Sequence, residues 1–243
     1  MLTHLLKSLT IFLQQQMNEI KLSKRLSTAA SYVRSGAFVA DIGTDHAYLP
    51  IYLVSNGIAA QALASDVNEG PILKAKENIS KYGLKNKIYT EIADGLDKIE
   101  RYNPTDIVIC GMGGELIAKI LDASDYVKNK NVRLILQPMT SVFELREYLS
   151  NGFSTVAENV VCEDNKIYQI ICVEYDGIKH EYTSAELELG KLNIKNKSSD
   201  FSVLLNSTID KKLKRLNGLK IGGYDTSEIE AEILELEKIK NEI

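Results

Sequence analysis

The sequence predicts an α/β chain: a doubly wound, mostly parallel sheet with an antiparallel hairpin at its edge, followed by a C-terminal α-helical hairpin of coiled-coil character. Three observations carry that expectation. Short β-rich runs alternate with helical stretches as far as Leu149, the pattern of a parallel sheet with right-handed crossovers. Two long extended runs then stand only four residues apart, too close for a crossover, so they must pair antiparallel. Beyond Gly177, apolar residues recur at spacings of three and four in two blocks joined by a Gly-rich connector, which reads as two antiparallel amphipathic helices.

The elements follow in order. Leu22, Leu26, Ala29, Ala30 and Val33 lie at helical spacing and form an amphipathic lead-in helix. The strand-like runs are Phe38–Ile42, Ala62–Asp66, Ile88–Ile92, Asp106–Cys110 and Val132–Gln137, and the helical stretches between them are Leu49–Asn56, Pro71–Tyr82, Glu115–Leu121 and Val142–Leu149. Pro71 suits a helix start, Gly83 follows the last turn of the same helix, and Ser141 with Glu144 has capping-box spacing before a helix that Gly152 can end. The antiparallel pair is Ser154–Cys162 and Ile167–Tyr175, joined through Glu163-Asp164-Asn165-Lys166. Thr183 and Glu186 can cap a helix running through Leu187, Phe201, Leu205, Ile209, Leu213 and Leu216, with a break near Lys197-Ser198-Ser199. Asn217-Gly218 and Gly222-Gly223 mark a turn, and Ile229, Ile233, Leu236, Ile239 and Ile243 line the helix after it. The expected division is an extension over 1–16 ahead of an alternative start at Met17, an α/β domain over 17–177 and a helical domain over 178–243.

The composition, 44% hydrophobic and 26% charged over 243 residues, excludes a disordered or fibrous chain. The formal charge of −4 hides a gradient: residues 1–40 carry +4, residues 41–180 carry −6 and residues 181–243 carry −2. An acidic total therefore leaves room for an anionic partner at the N-terminal edge. No apolar stretch approaches the roughly 20 residues of a membrane span. Leu2 to Leu13 resembles a short signal peptide, but Lys7 interrupts it and no small-residue cleavage site precedes Gln14-Gln15-Gln16, so a cytoplasmic protein is expected. Cys110, Cys162 and Cys172 fit no metal-ligand spacing and read as reduced thiols.

In an open parallel sheet, ligands bind beyond the carboxyl ends of the strands. After the first strand stands Asp41-Ile42-Gly43-Thr44-Asp45-His46-Ala47-Tyr48-Leu49-Pro50, where Asp45 and Ala47 replace the second and third glycines of a dinucleotide fingerprint. A carboxylate facing a pyrophosphate costs Coulomb energy, so the loop favours a ligand carrying positive charge. Asp66 ends the second strand, at a distance suited to ribose hydroxyls, and Asp94-Gly95 follows the third, where a carboxylate can accept from an adenine amine. Ribose, adenine and a cationic centre near Asp41 and Asp45 describe S-adenosylmethionine. Read singly, each Asp could equally be a helix cap and Gly43 a turn; three in register after successive strands favour the cofactor.

After the fourth strand comes Gly111-Met112-Gly113-Gly114, where enzymes that methylate exocyclic amines usually need a polar acceptor and a proline pair. A ring nitrogen such as adenine N1 has an in-plane lone pair and loses no proton before attack. It needs a flat pocket and in-line placement, which backbone at Gly111 and an apolar Met112 could supply. Gln137 can hydrogen-bond in the cleft, and His46 can touch the base or orient Asp45. Glu163, Asp164, Lys166 and Tyr168 could border the entrance. Lys24 and Arg25, with Lys211, Lys212, Lys214 and Arg215 near the helical turn, are candidate phosphate contacts, although a solvated helix face reads the same way. No hydrolytic elbow, Cys/His nucleophile pair or metal cluster is visible.

Leu22-Ser23-Lys24-Arg25-Leu26, the Asp41–Pro50 run, Gly111-Met112-Gly113-Gly114 and Leu136-Gln137-Pro138 closely resemble the bacterial tRNA (adenine-22-N1)-methyltransferase family. The resemblance implies a Rossmann-like class I methyltransferase fold with a C-terminal coiled coil, S-adenosylmethionine as cofactor and tRNA as partner. It also implies Asp66 as the acidic ribose-binding position. No metal and no obligate protein partner is expected. Competing expectations are the same fold acting on a protein or small molecule, and a non-catalytic RNA-binding module.

Overall fold

The computed structural model describes residues 20–242; the extension over 1–16, the start at Met17 and Ile243 lie outside the described residues. Strands β1 (Ala37–Ile42), β2 (Ala59–Asp66), β3 (Ile88–Ile92), β4 (Asp106–Met112) and β5 (Arg133–Pro138) run parallel. The hairpin strands β6 (Asn151–Glu163) and β7 (Lys166–Lys179) close the sheet antiparallel, giving the order β3-β2-β1-β4-β5-β7-β6. Order reverses between β1 and β4, which places a ligand crevice beyond Ile42 and Met112.

The central strands are apolar on both faces because helices cover both. Val39, Val108 and Ile135 pack on one side with α1 (Lys24–Ser31), α2 (Tyr48–Ser55) and α3 (Glu69–Lys81). Ala40, Ile107, Ile109 and Leu136 pack on the other with α4 (Gly114–Asp122) and α5 (Val142–Leu149). Each fully buried Ile or Leu of these layers contributes about 1.5–3 kcal/mol. At the β6–β7 turn, Asp164 and Asn165 both take left-handed backbone, φ 48° and 59°, the two-residue geometry that matches strand twist.

The helical tail comprises α6 (Ser184–Leu189), α7 (Lys191–Asn196), α8 (Phe201–Gly222) and α9 (Ser227–Asn241). The Thr183–Glu186 capping box forms as expected. The tail is rooted by burial and by a buried ion pair: Val160 of β6 packs with Phe201, Leu205 and Leu236, while Arg146 and Glu158 meet at 2.8 Å. Arg146 also donates to the carbonyls of Leu187 and Glu188, and Glu158 accepts from the Leu192 amide. These bonds tie α6 and α7 to the α/β unit.

Several local expectations are corrected. Helix α3 starts at Glu69, with Asn68 at its N-cap, so Pro71 sits inside the first turn, where its missing N–H leaves no bond unmade. Ser141 caps nothing: its φ is 52° and its side chain makes no cap bond, because Gly114 packs directly on its carbonyl. Helix α5 ends at Leu149, and Gly152 lies within β6. Helix α8 runs straight through Asn217-Gly218, so only Gly223–Thr226 turns, and the Lys211–Arg215 cluster lies mid-helix instead of at the turn. A break at Gly190, φ 91°, joins the expected one at Lys197.

Candidate active site

The crevice has two halves of opposite character. Asp41, at the end of β1, is 6% exposed and accepts a 2.5 Å hydrogen bond from the Thr44 hydroxyl. Burial pushes its carboxyl up to about 6; the Thr44 bond opposes that shift, and the charges of Asp45 and Asp66 add to it. A carboxylate so placed gains most from a cationic ligand. Gly43, φ 73°, turns the chain so that its amide and that of Thr44 both donate to the Ser65 carbonyl, and a Cβ there would stand 2.1 Å from Met112 Cε. The loop then passes Asp45, exposed, and His46, whose Nε2 lies 3.6 Å from the Asp45 carboxylate. His46 and Ala47 both hold left-handed backbone, and Asn78 of α3 donates to the His46 carbonyl at 3.0 Å.

Asp66 at the end of β2 accepts from the Asn68 amide and keeps its carboxylate partly exposed at the strand terminus. Beyond β3, Asp94 and Gly95 line a cleft of about 600 Å³ whose other wall is Leu116 and Ile120 of α4 and Ala123 just after it. Of its four carboxylates, Asp94 stands two residues past β3, and with the apolar side chains of Leu116 and Ile120 opposite it suits a flat base bearing an exocyclic amine; Asp97, Glu100 and Asp125 are partly offset by Lys98 and Lys119.

The second half lies beyond β4 and β5. A bulge between Cys110 and Met112 aims Gly111 and Met112 into the crevice. Met139 donates its amide to Met112, and Gly114 donates to Thr140; a Cβ on Gly114 would come within 2.0 Å of the Ser141 carbonyl oxygen, so this close crossing admits glycine alone. Burial pushes the Cys110 thiol up to about 12, with the Asp41 charge adding to it, so this sulfur stays protonated. Gln137 is fully buried: its Nε2 donates to the Pro138 carbonyl at 2.7 Å and its Oε1 accepts from Arg25 Nη1 at 2.6 Å.

The structure thus brings Asp41, Gly43, Asp45, His46, Asp66, Asp94, Gly95, Gly111, Met112 and Gln137 to the carboxyl edge of one sheet. Lys24 is exposed on the first turn of α1, while Arg25 turns toward the crevice. On α8, Lys211, Lys214 and Arg215 are exposed, whereas Lys212 is turned onto Glu232 at 3.0 Å and Glu188 at 3.7 Å. Sequence reasoning missed Thr44, whose place three residues after Asp41 was the available signal, and the Arg25–Gln137 contact, which spans 112 residues and left no local signal. Among the described residues no cluster of three or more His, Cys, Asp or Glu could hold a metal ion, and no helix is long and apolar enough to cross a membrane.

Comparison with known proteins agrees with this geometry. A methyltransferase-domain family matches residues 22–171. The tRNA (adenine(22)-N(1))-methyltransferase of Bacillus subtilis (strain 168) is 42% identical over 193 residues, 76% of this chain and 80% of that protein. Streptococcus pneumoniae Sp1610, solved in complex with S-adenosyl-L-methionine, is similar with a TM-score of 0.79 at 36% identity, over 90% of this chain and 99% of its own. M. capricolum TrmK, solved with S-adenosyl-homocysteine, is similar with a TM-score of 0.76 at 31% identity, over 90% of this chain and 98% of its own.

Proposed function

The chain belongs to the tRNA (adenine(22)-N(1))-methyltransferase family, and we propose from its own residues how it moves a methyl group from S-adenosylmethionine to N1 of adenine 22 in tRNA. The observation that carries the reading is the pairing of an acidic half-crevice with a half lined by Gly111, Gly113 and Gly114.

S-adenosylmethionine supplies an electrophilic methyl: the N1 lone pair forms the new C–N bond, the C–S bond breaks with its electrons left on sulfur, and the positive charge passes to the base. Asp41 and Asp45 face the cationic portion, and Thr44 holds Asp41 in place. Asp66 takes the ribose hydroxyls, and Asp94, beside Gly95, takes the adenine amine. Gly111 and Gly113-Gly114 let the target base approach the backbone, with Met112 as its apolar wall. The acidic half then stabilises the charge that the base acquires. The protonated Cys110 thiol offers no nucleophile, in keeping with direct in-line transfer, whose rate rests on positioning and electrostatics. Asp45 and His46 stand at the lip, where they can orient the base.

The α/β unit, 17–177, carries this chemistry, and the helical unit, 178–243, grips tRNA backbone through Lys211, Lys214 and Arg215, with Lys24 beside the crevice. The expected setting is the cytoplasm. An adenine inside folded tRNA must be extruded, at a cost of a few kcal/mol. The test is transfer of label from tritiated S-adenosylmethionine to total tRNA, followed by nucleoside analysis. N1-methyladenosine is the expected product; label in protein or small molecules, or no transfer, would contradict it.

A further inference from the structure

We propose that the Arg25 guanidinium grips the phosphate of the adenosine entering the crevice, and that Gln137 and Glu163 are positioning residues that hold it there; the proposal rests on the tRNA reading above. Arg25 lies in the first turn of α1, yet its position is set by elements far along the chain. The Glu163 carboxylate, at the end of β6, accepts from the backbone amides of Lys24 at 2.7 Å and Arg25 at 3.3 Å, which pins the N-terminus of α1 to the hairpin. Those amide bonds, the Lys24 one foremost, hold the Glu163 carboxyl below its ordinary range. From that anchor the Arg25 side chain reaches across Tyr168, its Cζ 5.6 Å from the ring centroid, to Gln137 at the end of β5. Its Nη1 also lies 3.6 Å from where a Cβ on Gly111 would stand.

Gln137 spends both ends of its amide within the protein, so it orients Arg25 instead of meeting substrate itself. Arg25, by contrast, is partly exposed, and among the described residues it uses one of its five N–H donors and has no carboxylate within ion-pair distance. Among the described residues this half-buried guanidinium makes no salt bridge and feels the Glu163 carboxylate only at longer range, so at the crevice mouth it asks for an anion. The crevice also decides which part of the nucleotide supplies it. The base and ribose of a nucleotide carry no negative charge, so its phosphodiester is the anion available to a cation beside Gly111. The phosphodiester fits, because its paired oxygens match the guanidinium fork. The crevice is then polarised, with carboxylates on the cofactor side and one fixed cation on the nucleotide side.

The test uses the full chain with tRNA and measures binding against salt concentration, cofactor affinity by calorimetry, and KM and kcat. Arg25→Gln should lower the slope of log Kobs against log salt by about 0.7–0.9, one phosphate contact, and raise KM for tRNA roughly tenfold, with cofactor affinity unchanged. Arg25→Lys should keep the slope while raising KM, since the charge stays and the fork is lost. Glu163→Gln should raise KM with the slope intact. A wild-type slope in Arg25→Gln, or a lost slope in Arg25→Lys, overturns the proposal. Wild-type protein that neither binds nor methylates tRNA would instead overturn the functional reading on which it stands.

Discussion

The two halves of the crevice are built from the same sheet edge by different means. The half at the ends of β1, β2 and β3 is local: each carboxylate lies at the end of its own strand or a few residues beyond it, and Asp41 is held by Thr44 three positions on. The half beyond β4 and β5 is assembled from distant parts, with α1 crossing to Gln137 and the hairpin reaching back through Glu163. The difference separates tasks. A small cationic ligand can be met by short loops with fixed charges, whereas a nucleotide at the end of a large RNA must be placed by a frame spanning the fold.

The largest expected effect comes from removing the ribose carboxylate. Asp66→Ala should weaken cofactor binding about tenfold to a hundredfold, on the scale of a lost hydrogen bond to a charged group, with tRNA affinity retained. Calorimetry with each ligand in turn checks it, and normal cofactor affinity would dissolve the division. Asp45→Ala belongs to the same half but stands exposed at its lip, so turnover should fall more than cofactor affinity.

A second break is steric. Gly114→Ala drives a methyl into the Ser141 carbonyl at 2.0 Å, contact with backbone that cannot swing aside. A loss of about 2–3 kcal/mol is expected, a fall in Tm of roughly 4–12 °C for a chain of this size. Thermal unfolding should show that loss, whereas Gly43→Ala, which meets the flexible Met112 side chain at a left-handed residue, should lose less stability and more activity.

The Asp41 carboxyl sharpens the comparison through pH. Burial holds it at about 6 against an ordinary 3.8, so between those values the folded chain binds more protons than the unfolded one. Ligand-free stability from this group therefore falls as pH rises through about 6, while affinity for a cationic cofactor rises over the same interval. Asp41→Asn should flatten both trends, read from Tm against pH and from calorimetry at pH 5 and 7.5.

These outcomes also show what could be read in advance. Strands and their carboxylates were legible because buried parallel strands are continuous apolar runs and their termini are where ligands bind. Ser141 was misread because capping-box spacing is local, whereas its backbone is set by Gly114 from another element. Asn217-Gly218 read as a turn, yet both residues lie exposed within the continuous α8, which turns only at Gly223, where the backbone is left-handed. Arg25 was legible as a cation and illegible as a crevice residue, since nothing near it in the chain announces Gln137.

The smallest effect separates neighbours on α8. Lys212→Ala should lower stability without changing the salt dependence of tRNA binding, because its ammonium is already paired with Glu232 and Glu188. Lys211→Ala should do the reverse, lowering the slope by about one contact.

One measurement bears on the whole account: methylation of two unmodified tRNA transcripts that differ only in carrying adenine or guanine at position 22. Label from S-adenosylmethionine should enter the adenine transcript alone, as N1-methyladenosine at that position. Equal labelling of both transcripts, or of neither, would contradict it.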